Sequence, residues 1–330
     1  MSRLVQRLAN TLAFERRCIR SSFVAKVRRT LPVRLHFRAL LARRIDALDA
    51  SGYLRDATLG KARRAGALGI LGFLAILVTG VSGAAEETKK IRDNSFLLEE
   101  AYNQERGVVQ HIQAFQYMNG GSWAYSFTQE WPVPKETHQI SYTIPVSRVK
   151  EEGTETGIGD VALNYRYQAI LKDPVAFAPR LSLLLPTGSH EKGLGNGAVG
   201  YQANLPLSVE LSEKWVTHWN LGATYVARAK GIDGAEADTL GFNYGAGFVH
   251  LLSENFNLML EAAGTSSESV EGTGLTRREH AFFIHPGLRF ALNFKSGLQI
   301  VPGIGVPIGM GPSSGEYGVF LYLSLEHPLF

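Results

Sequence analysis

From about residue 107 to its end, the chain alternates apolar and polar residues with a period of two. Trp123, Tyr125 and Phe127 alternate with Ala124, Ser126 and Thr128. Val161, Leu163, Tyr165 and Tyr167 alternate with Ala162, Asn164, Arg166 and Gln168. Leu240, Phe242, Tyr244, Ala246 and Phe248 alternate with Gly241, Asn243, Gly245 and Gly247. In an extended strand successive side chains point to opposite faces, so each such run predicts a strand with one apolar and one polar face. Counting the weaker segments near 108–118, 175–186 and 317–330, the pattern predicts about twelve strands of roughly 9–14 residues, and about 9–11 tilted residues cross a bilayer.

The predicted connections alternate in length. Short polar turns are expected at Trp131–Lys135, Leu171–Pro174, Ser212–Lys214, Leu252–Asn255 and Asn293–Ser296. Longer loops are expected at Lys150–Asp160, Thr187–Gly197, Ala229–Asp238, Gly264–Glu279 and Gly309–Glu316, while Asn119–Ser122 is short where a long loop would fall. Short turns on one side and longer loops on the other characterise barrels of the bacterial outer membrane. A soluble sandwich or lipocalin-like barrel has the same period with its apolar face inside. The alternating loop lengths favour the membrane. So do the aromatic residues crowded at strand ends (Trp123, Trp131, Trp215 and Trp219 among them), which match interfacial girdles. The expected fold is all-β: a transmembrane up-and-down antiparallel β-barrel over 107–330, about 12 strands. Closure follows because backbone amides in lipid have no partner except another strand. The Gly-rich inner faces of 239–250 and 297–308 would let the wall bend or let another segment pack close.

Upstream, KARRAGALGILGFLAILVTGVSGAA (61–85) joins a positive start to an apolar core and small residues, the pattern of a secretory signal cleaved near Ala84 or Ala85. Residues 1–60 form a basic leader: either a long functional pre-sequence or, the favoured expectation, an upstream extension of a start nearer Leu54 or Leu59. Residues 1–64 hold 16 Lys/Arg against 4 Asp/Glu, leaving 18 basic and 26 acidic residues after position 64, a net −8. The acidic body removes a whole-chain case for nucleic-acid binding. Cys18, in the leader, is the sole cysteine, so the body has no disulfide framework or thiolate metal site. Residues 86–106 are expected as a periplasmic N-terminal segment. The stretch 94–112 (NSFLLEEAYNQERGVVQHI) would form either a short periplasmic helix or an inward-folded plug.

IGDVALNYRYQAI (158–170), RLSLLLPTGSHEKGLGNGAVGYQANLPLSVEL (180–211) with its Pro186-Thr187-Gly188 loop entry, and the terminal GVFLYLSLEHPLF carry a resemblance. Over roughly 107–330 the body resembles the family of outer-membrane proteins named for the meta-cleavage pathway of phenol degradation. That resemblance implies a barrel and a transport role for aromatic catabolites. It implies no set of site residues. A terminal Phe330 on an amphipathic strand resembles the signal read by the barrel-assembly machinery, an expected partner beside outer-membrane lipid and small-molecule solutes.

Catalytic signals are weak. A hydrolytic triad needs Ser and His in hydrogen-bond reach with an orienting third group. Ser141 lies near His138, but period two sets them on opposite faces, and GxSxG does not occur. HxxxH and acidic metal clusters are absent from the sequence. GLGNG (193–197) runs from strand to strand, without the helix N-terminus that holds a phosphate. No catalytic residue, metal or cofactor is expected.

The inward polar face is more informative. Arg166, Arg180, Arg289, Glu130, Glu210, Glu261 and Glu326 all fall on it. A charge facing lipid at the midplane costs about 2–4 kcal/mol, so these seven are the candidate lumen-lining residues. They form either a constriction that selects solutes by charge and size or a paired network sealing a narrow barrel. The leading expectation is a passive channel in the outer membrane for small solutes, aromatic ones included. The alternatives are a sealed structural or adhesion-type barrel acting through its loops and, less favoured, a lipid-acting hydrolase.

Overall fold

The computed structural model of the chain describes Ile91, residues 95–150 and residues 154–329. The leader over 1–60, the signal over 61–85 and Phe330 lie outside the described residues. Twelve antiparallel staves follow in order: β1 (Val108–Met118), β2 (Trp123–Pro132), β3 (His138–Lys150), β4 (Thr154–Ile158, Ala162–Tyr167 and Ile170–Lys172), β5 (Val175–Phe177 and Arg180–Leu184), β6 (Gly200–Asn204 and Leu207–Ser212), β7 (Trp215–Lys230), β8 (Glu236–Ser253), β9 (Phe256–Gly272), β10 (Leu275–Phe290 and Leu292–Asn293), β11 (Gln299–Gly305 and Ile308–Gly309) and β12 (Gly318–Pro328). Each pairs with its neighbours in sequence, and β1 closes the ring on β12 from Val108↔Pro328 to Met118↔Gly318. Three of the interruptions have a local cause. Pro179, Pro206 and Pro307 sit between the pieces of β5, β6 and β11, where a residue without an N–H cannot donate to a ladder. Single bonds such as Tyr167 N to Pro179 O (3.0 Å) and Leu205 N to Leu221 O (2.8 Å) carry the pairing across.

The two faces decide the solvent. On β7, Trp219, Leu221 and Tyr225 are 47%, 58% and 43% exposed, whereas His218, Asn220 and Thr224 are buried. The same outward apolar face recurs at Tyr201 on β6 and Phe242 and Phe248 on β8. A soluble barrel would bury these residues and expose the polar row. This wall does the reverse, which suits hydrocarbon outside and polar groups inside. No helix among the described residues is long and apolar enough to cross a membrane; the crossing is made by strands.

Three of the expected long loops are corrected. Most of Gly264–Glu279 is strand: β9 and β10 pair through Ser267↔Glu279 to Gly272↔Leu275, with one register shift between Val270 and Gly272. Within Ala229–Asp238, Lys230 pairs with Glu236. Within Lys150–Asp160, the register runs from Lys150↔Thr154 to Val146↔Ile158. Above the bilayer both faces of a hairpin meet water, so the apolar–polar alternation fades while the backbone ladder continues. Thr187–Gly197 does remain irregular. Asp160 organises it, accepting hydrogen bonds from Gly188 N (3.0 Å), Asn196 N (2.8 Å) and Asn196 Nδ2 (2.8 Å). Gly188 is required there: a Cβ at that position would stand 2.4 Å from the Leu194 carbonyl oxygen.

The segment before β1 is not a periplasmic helix. Ser95–Gln104 is irregular, with bends at Phe96–Leu98 and Ala101; it is largely buried and lies within the barrel.

Candidate functional site

The inward side chains of the wall bind this segment chiefly through its backbone. Ile91 and the pair Asn103–Gln104 both sit at the rim with the short turns. Ile91 O accepts hydrogen bonds from Asn257 Nδ2 (2.7 Å) and Arg289 Nη2 (3.1 Å), near the turn between β8 and β9 and the end of β10. At the other end, Gln139 Oε1 accepts from Gln104 N (2.8 Å), and Asn103 Nδ2 donates to Glu136 O (2.8 Å) in the turn between β2 and β3. Residues 96–101 lie against the inner face of the wall above that rim. Glu261 on β9 accepts the N–H groups of both Phe96 (3.0 Å) and Leu97 (2.9 Å), one at each oxygen. Asn220 on β7 treats Glu99 reciprocally, accepting its N–H (2.9 Å) and donating to its carbonyl (2.6 Å). Ser208 on β6 accepts from Ala101 N (2.9 Å). Gln168, just past Tyr167 of β4, accepts from Asn103 N (2.9 Å) and donates to Ala101 O (2.7 Å).

The segment takes from wall side chains the bonds that a strand would take from a neighbouring backbone. A buried peptide group left without a partner costs free energy comparable to a lost hydrogen bond, so the wall's polar side chains permit an irregular chain inside the barrel. Its apolar side chains use the glycines of the wall. A Cβ on Gly247 would stand 3.0 Å from Leu98 Cδ1, and one on Gly303 would stand 2.6 Å from Phe96 Cζ. The Gly-rich inner faces therefore serve as the floor for a second segment.

Charge concentrates on one side of the lumen. Arg180 Nη1 meets Glu99 Oε1 at 2.8 Å, and Asn204 Nδ2 donates to Glu99 Oε2. Arg166 Nη1 lies 3.6 Å from Glu100 Oε1 and also donates to Glu100 O at 3.2 Å. Arg166 further donates from Nε to Asn103 Oδ1 (2.9 Å) and from Nη2 to Tyr102 O. Glu130 accepts from Gln139 Nε2 at 2.7 Å. A cavity of about 90 Å³ remains between segment and wall, bounded by Arg166, Arg180, Glu130 and Glu99 on its polar side and by Phe96, Ile112 and Tyr322 on its apolar side. That volume holds about three waters at ~30 Å³ each, and it is smaller than the roughly 150 Å³ cavity known to admit benzene.

Of the seven residues singled out from the sequence, Arg166, Arg180 and Glu130 meet around this cavity. Glu261 and Arg289 are buried across the lumen, where Glu261 also lies 3.4 Å from His285 Nδ1. Glu326 is buried near the rim and accepts from Gln110 Nε2 (2.9 Å). Glu210 is half-buried toward the end of β6. Sequence reasoning missed Glu99 and Glu100, whose signal was an acidic pair preceding a wall with inward arginines. It also missed a Ser–His pair: Ser208 Oγ and His218 Nδ1 are 2.8 Å apart and both residues are fully buried. Ser208 already accepts Ala101 N, which makes the pair an anchor for the inserted segment.

A model of the family described as "Putative MetA-pathway of phenol degradation" matches residues 99–307. The chain belongs to that family. The match begins inside the inserted segment and ends in the break of β11, so this family's pattern takes in the acidic Glu99–Glu100 pair as well as most of the wall. No curated protein sequence matches the chain. Among solved structures, an outer-membrane channel from Pseudomonas putida F1 is similar at 14% identity and a TM-score of 0.50, over 69% of this chain and 97% of that one. The KdgM porin is similar at 7% identity and a TM-score of 0.41, over 68% of this chain and 99% of that one. The CymD monoaromatic hydrocarbon channel is similar at 10% identity and a TM-score of 0.38, over 69% and 90% respectively. The first of these shows the fold shared by this member of the MetA-pathway family: a closed barrel of the outer membrane.

Proposed function

We propose that this barrel is a passive outer-membrane channel for small solutes, aromatic ones among them, held closed by its own residues 95–106. The observation that carries the reading is the inward row of arginine, carboxylate and amide side chains. A wall built to be sealed can fill its lumen with its own side chains, as eight-stranded barrels do. Here the space is filled by a tethered segment that the wall grips through hydrogen bonds. Arg166, Arg180 and Arg289 are the solute-contacting or gating residues in this proposal, with Glu130, Glu210, Glu261 and Glu326 as the acidic lining. The aromatic part rests on the family's description.

The same reading takes residues 61–85 as the export signal and the strand ending at Phe330 as the handle for the assembly machinery. N-terminal sequencing of the exported protein checks the first. Loss of heat-modifiable barrel on deleting Phe330 checks the second. The barrel carries no enzymatic role in this proposal, and a phospholipid-turnover assay in detergent micelles tests that.

The deciding experiment is planar-bilayer conductance of protein purified from outer membranes, its barrel first verified by heat-modifiable migration. Discrete unitary steps establish a pore. Silence from a verified barrel, in the parent and in a variant lacking residues 95–106 alike, removes the channel and leaves a sealed barrel that acts through its external hairpins.

A further inference from the structure

We infer that Arg180 and Asn204 form a receptor for the carboxylate of an organic acid, which the chain's own Glu99 fills as a tethered competitor. The inference rests on the channel reading for its physiological meaning, but its chemistry stands on the geometry of the wall. Both oxygens of the Glu99 carboxylate are engaged by the wall, one at Arg180 Nη1 (2.8 Å) and the other at Asn204 Nδ2. Neither wall residue belongs to the inserted segment. Both are buried, and each is fixed from behind. Arg180 Nη2 donates to Gln202 Oε1 at 2.9 Å, and Asn204 Nδ2 also lies 3.1 Å from Asn220 Oδ1. The receptor is therefore built into β5 and β6 and does not depend on the segment for its shape. Arg180 Nε, buried and without a hydrogen-bond partner, provides one further donor.

The space beside it suits a small apolar body. Arg180 and Glu99 share the cavity of about 90 Å³ with Tyr322, Ile112 and Ala114 of β12 and β1. A solute whose carboxylate replaced that of Glu99 would gain the volume of the departing side chain and lay its apolar part against those residues. Charge selects the class. With the segment in place, Arg166 and Arg180 face Glu99, Glu100 and Glu130, and an added anion has no unmatched cation. With Glu99 displaced, the buried Arg180 guanidinium loses its ion-pair partner, and a carboxylate restores the charge-assisted bonds that a neutral analogue cannot. The tether sets the affinity. A competitor on a short flexible linker acts at an effective concentration in the millimolar range, so free acid binds the intact protein weakly.

The test is calorimetric binding of benzoate, with neutral benzamide as the control, to the detergent-purified exported protein. Glu99→Gln keeps the side chain's shape and removes its charge. Benzoate is expected to bind Glu99→Gln at least about tenfold more tightly than the parent, and benzamide to bind neither. In Glu99→Gln/Arg180→Gln the benzoate signal is expected to vanish. Benzoate that ignores Glu99→Gln, or binds the double variant equally well, overturns the proposal. Should that double variant fail to reach the heat-modifiable form, Glu99→Gln/Asn204→Ala removes the other arm. About tenfold weaker benzoate binding is expected there, and unchanged binding overturns the receptor. Conductance of the same preparations separates the two readings. Benzoate binding in a barrel that never conducts keeps the receptor and removes the channel. A conducting barrel blind to benzoate does the reverse.

Discussion

Phe96 occupies the space that a side chain at position 303 would need: a Cβ on Gly303 would stand 2.6 Å from Phe96 Cζ and 2.7 Å from its Cε1. The ring has little room to give. Its centroid lies 5.6 Å from His285, 5.3 Å from Phe320 and 5.4 Å from Tyr322. Gly303→Ala is therefore expected to push Phe96 off the wall while the barrel still closes. Overpacking of this kind costs about 1–3 kcal/mol, or roughly 5- to 150-fold in the occupancy of the inserted state. Single-channel open probability should rise accordingly. Phe96→Ala in the same background should remove the clash, and equal open probabilities for parent and Gly303→Ala would count against the inserted segment as a gate.

Glu261 holds two consecutive N–H groups of the segment, so its removal should be felt at those amides first. Hydrogen bonds to a charged group contribute about 1.5–3 kcal/mol each. Glu261→Ala also leaves His285, now 3.4 Å from Glu261 Oε2, without its acidic neighbour. Hydrogen exchange over residues 95–104 should accelerate at least about tenfold, read by mass spectrometry, with β9 and β10 amides unchanged. Acceleration spread evenly over those strands would instead mark a general loss of barrel stability.

The wall was legible in the sequence because a bilayer enforces it. Every lipid-facing position had to be apolar, so the parity of Leu163, Tyr165 and Tyr167 put Arg166 inside, where the structure buries it. The inserted segment follows no such rule. FLLEEAYNQ has no two-residue period because its partners are Glu261, Asn220, Ser208 and Gln168, side chains scattered over four staves. No local pattern could reveal that Glu99 answers Arg180 across 81 positions of sequence. The external hairpins were hidden for the opposite reason: water on both faces of Gly264–Glu279 erased the alternation, and a continued ladder read as a loop.

Arg166 ties three residues of the segment, Glu100, Tyr102 and Asn103, to β4. Replacing it by alanine leaves Glu100 and the nearby Glu130 without this buried cation. Breaking a buried pair on one side typically costs about 3–5 kcal/mol. Arg166→Ala is expected to release the segment and to leave the lumen more acidic. Under a KCl gradient the reversal potential should move toward cation preference by several millivolts or more. An unmoved potential together with unchanged exchange over residues 95–104 would remove Arg166 from both roles.

Adjacent positions on β7 separate lipid from lumen. Leu221 is 58% exposed on the outer face, and Asn220 is 5% exposed on the inner one. Leu221→Arg would set a charge against hydrocarbon, at a cost of about 2–4 kcal/mol near the midplane. The denaturant midpoint of the folded barrel in lipid vesicles should fall, with exchange in the inserted segment unaffected. Asn220→Ala should do the opposite: it strips the reciprocal bonds to Glu99 at 2.9 and 2.6 Å, loosening the segment while the barrel's midpoint barely moves. The two variants exchanging these phenotypes would mean that the wall faces the other way, apolar side inward, as in a soluble barrel.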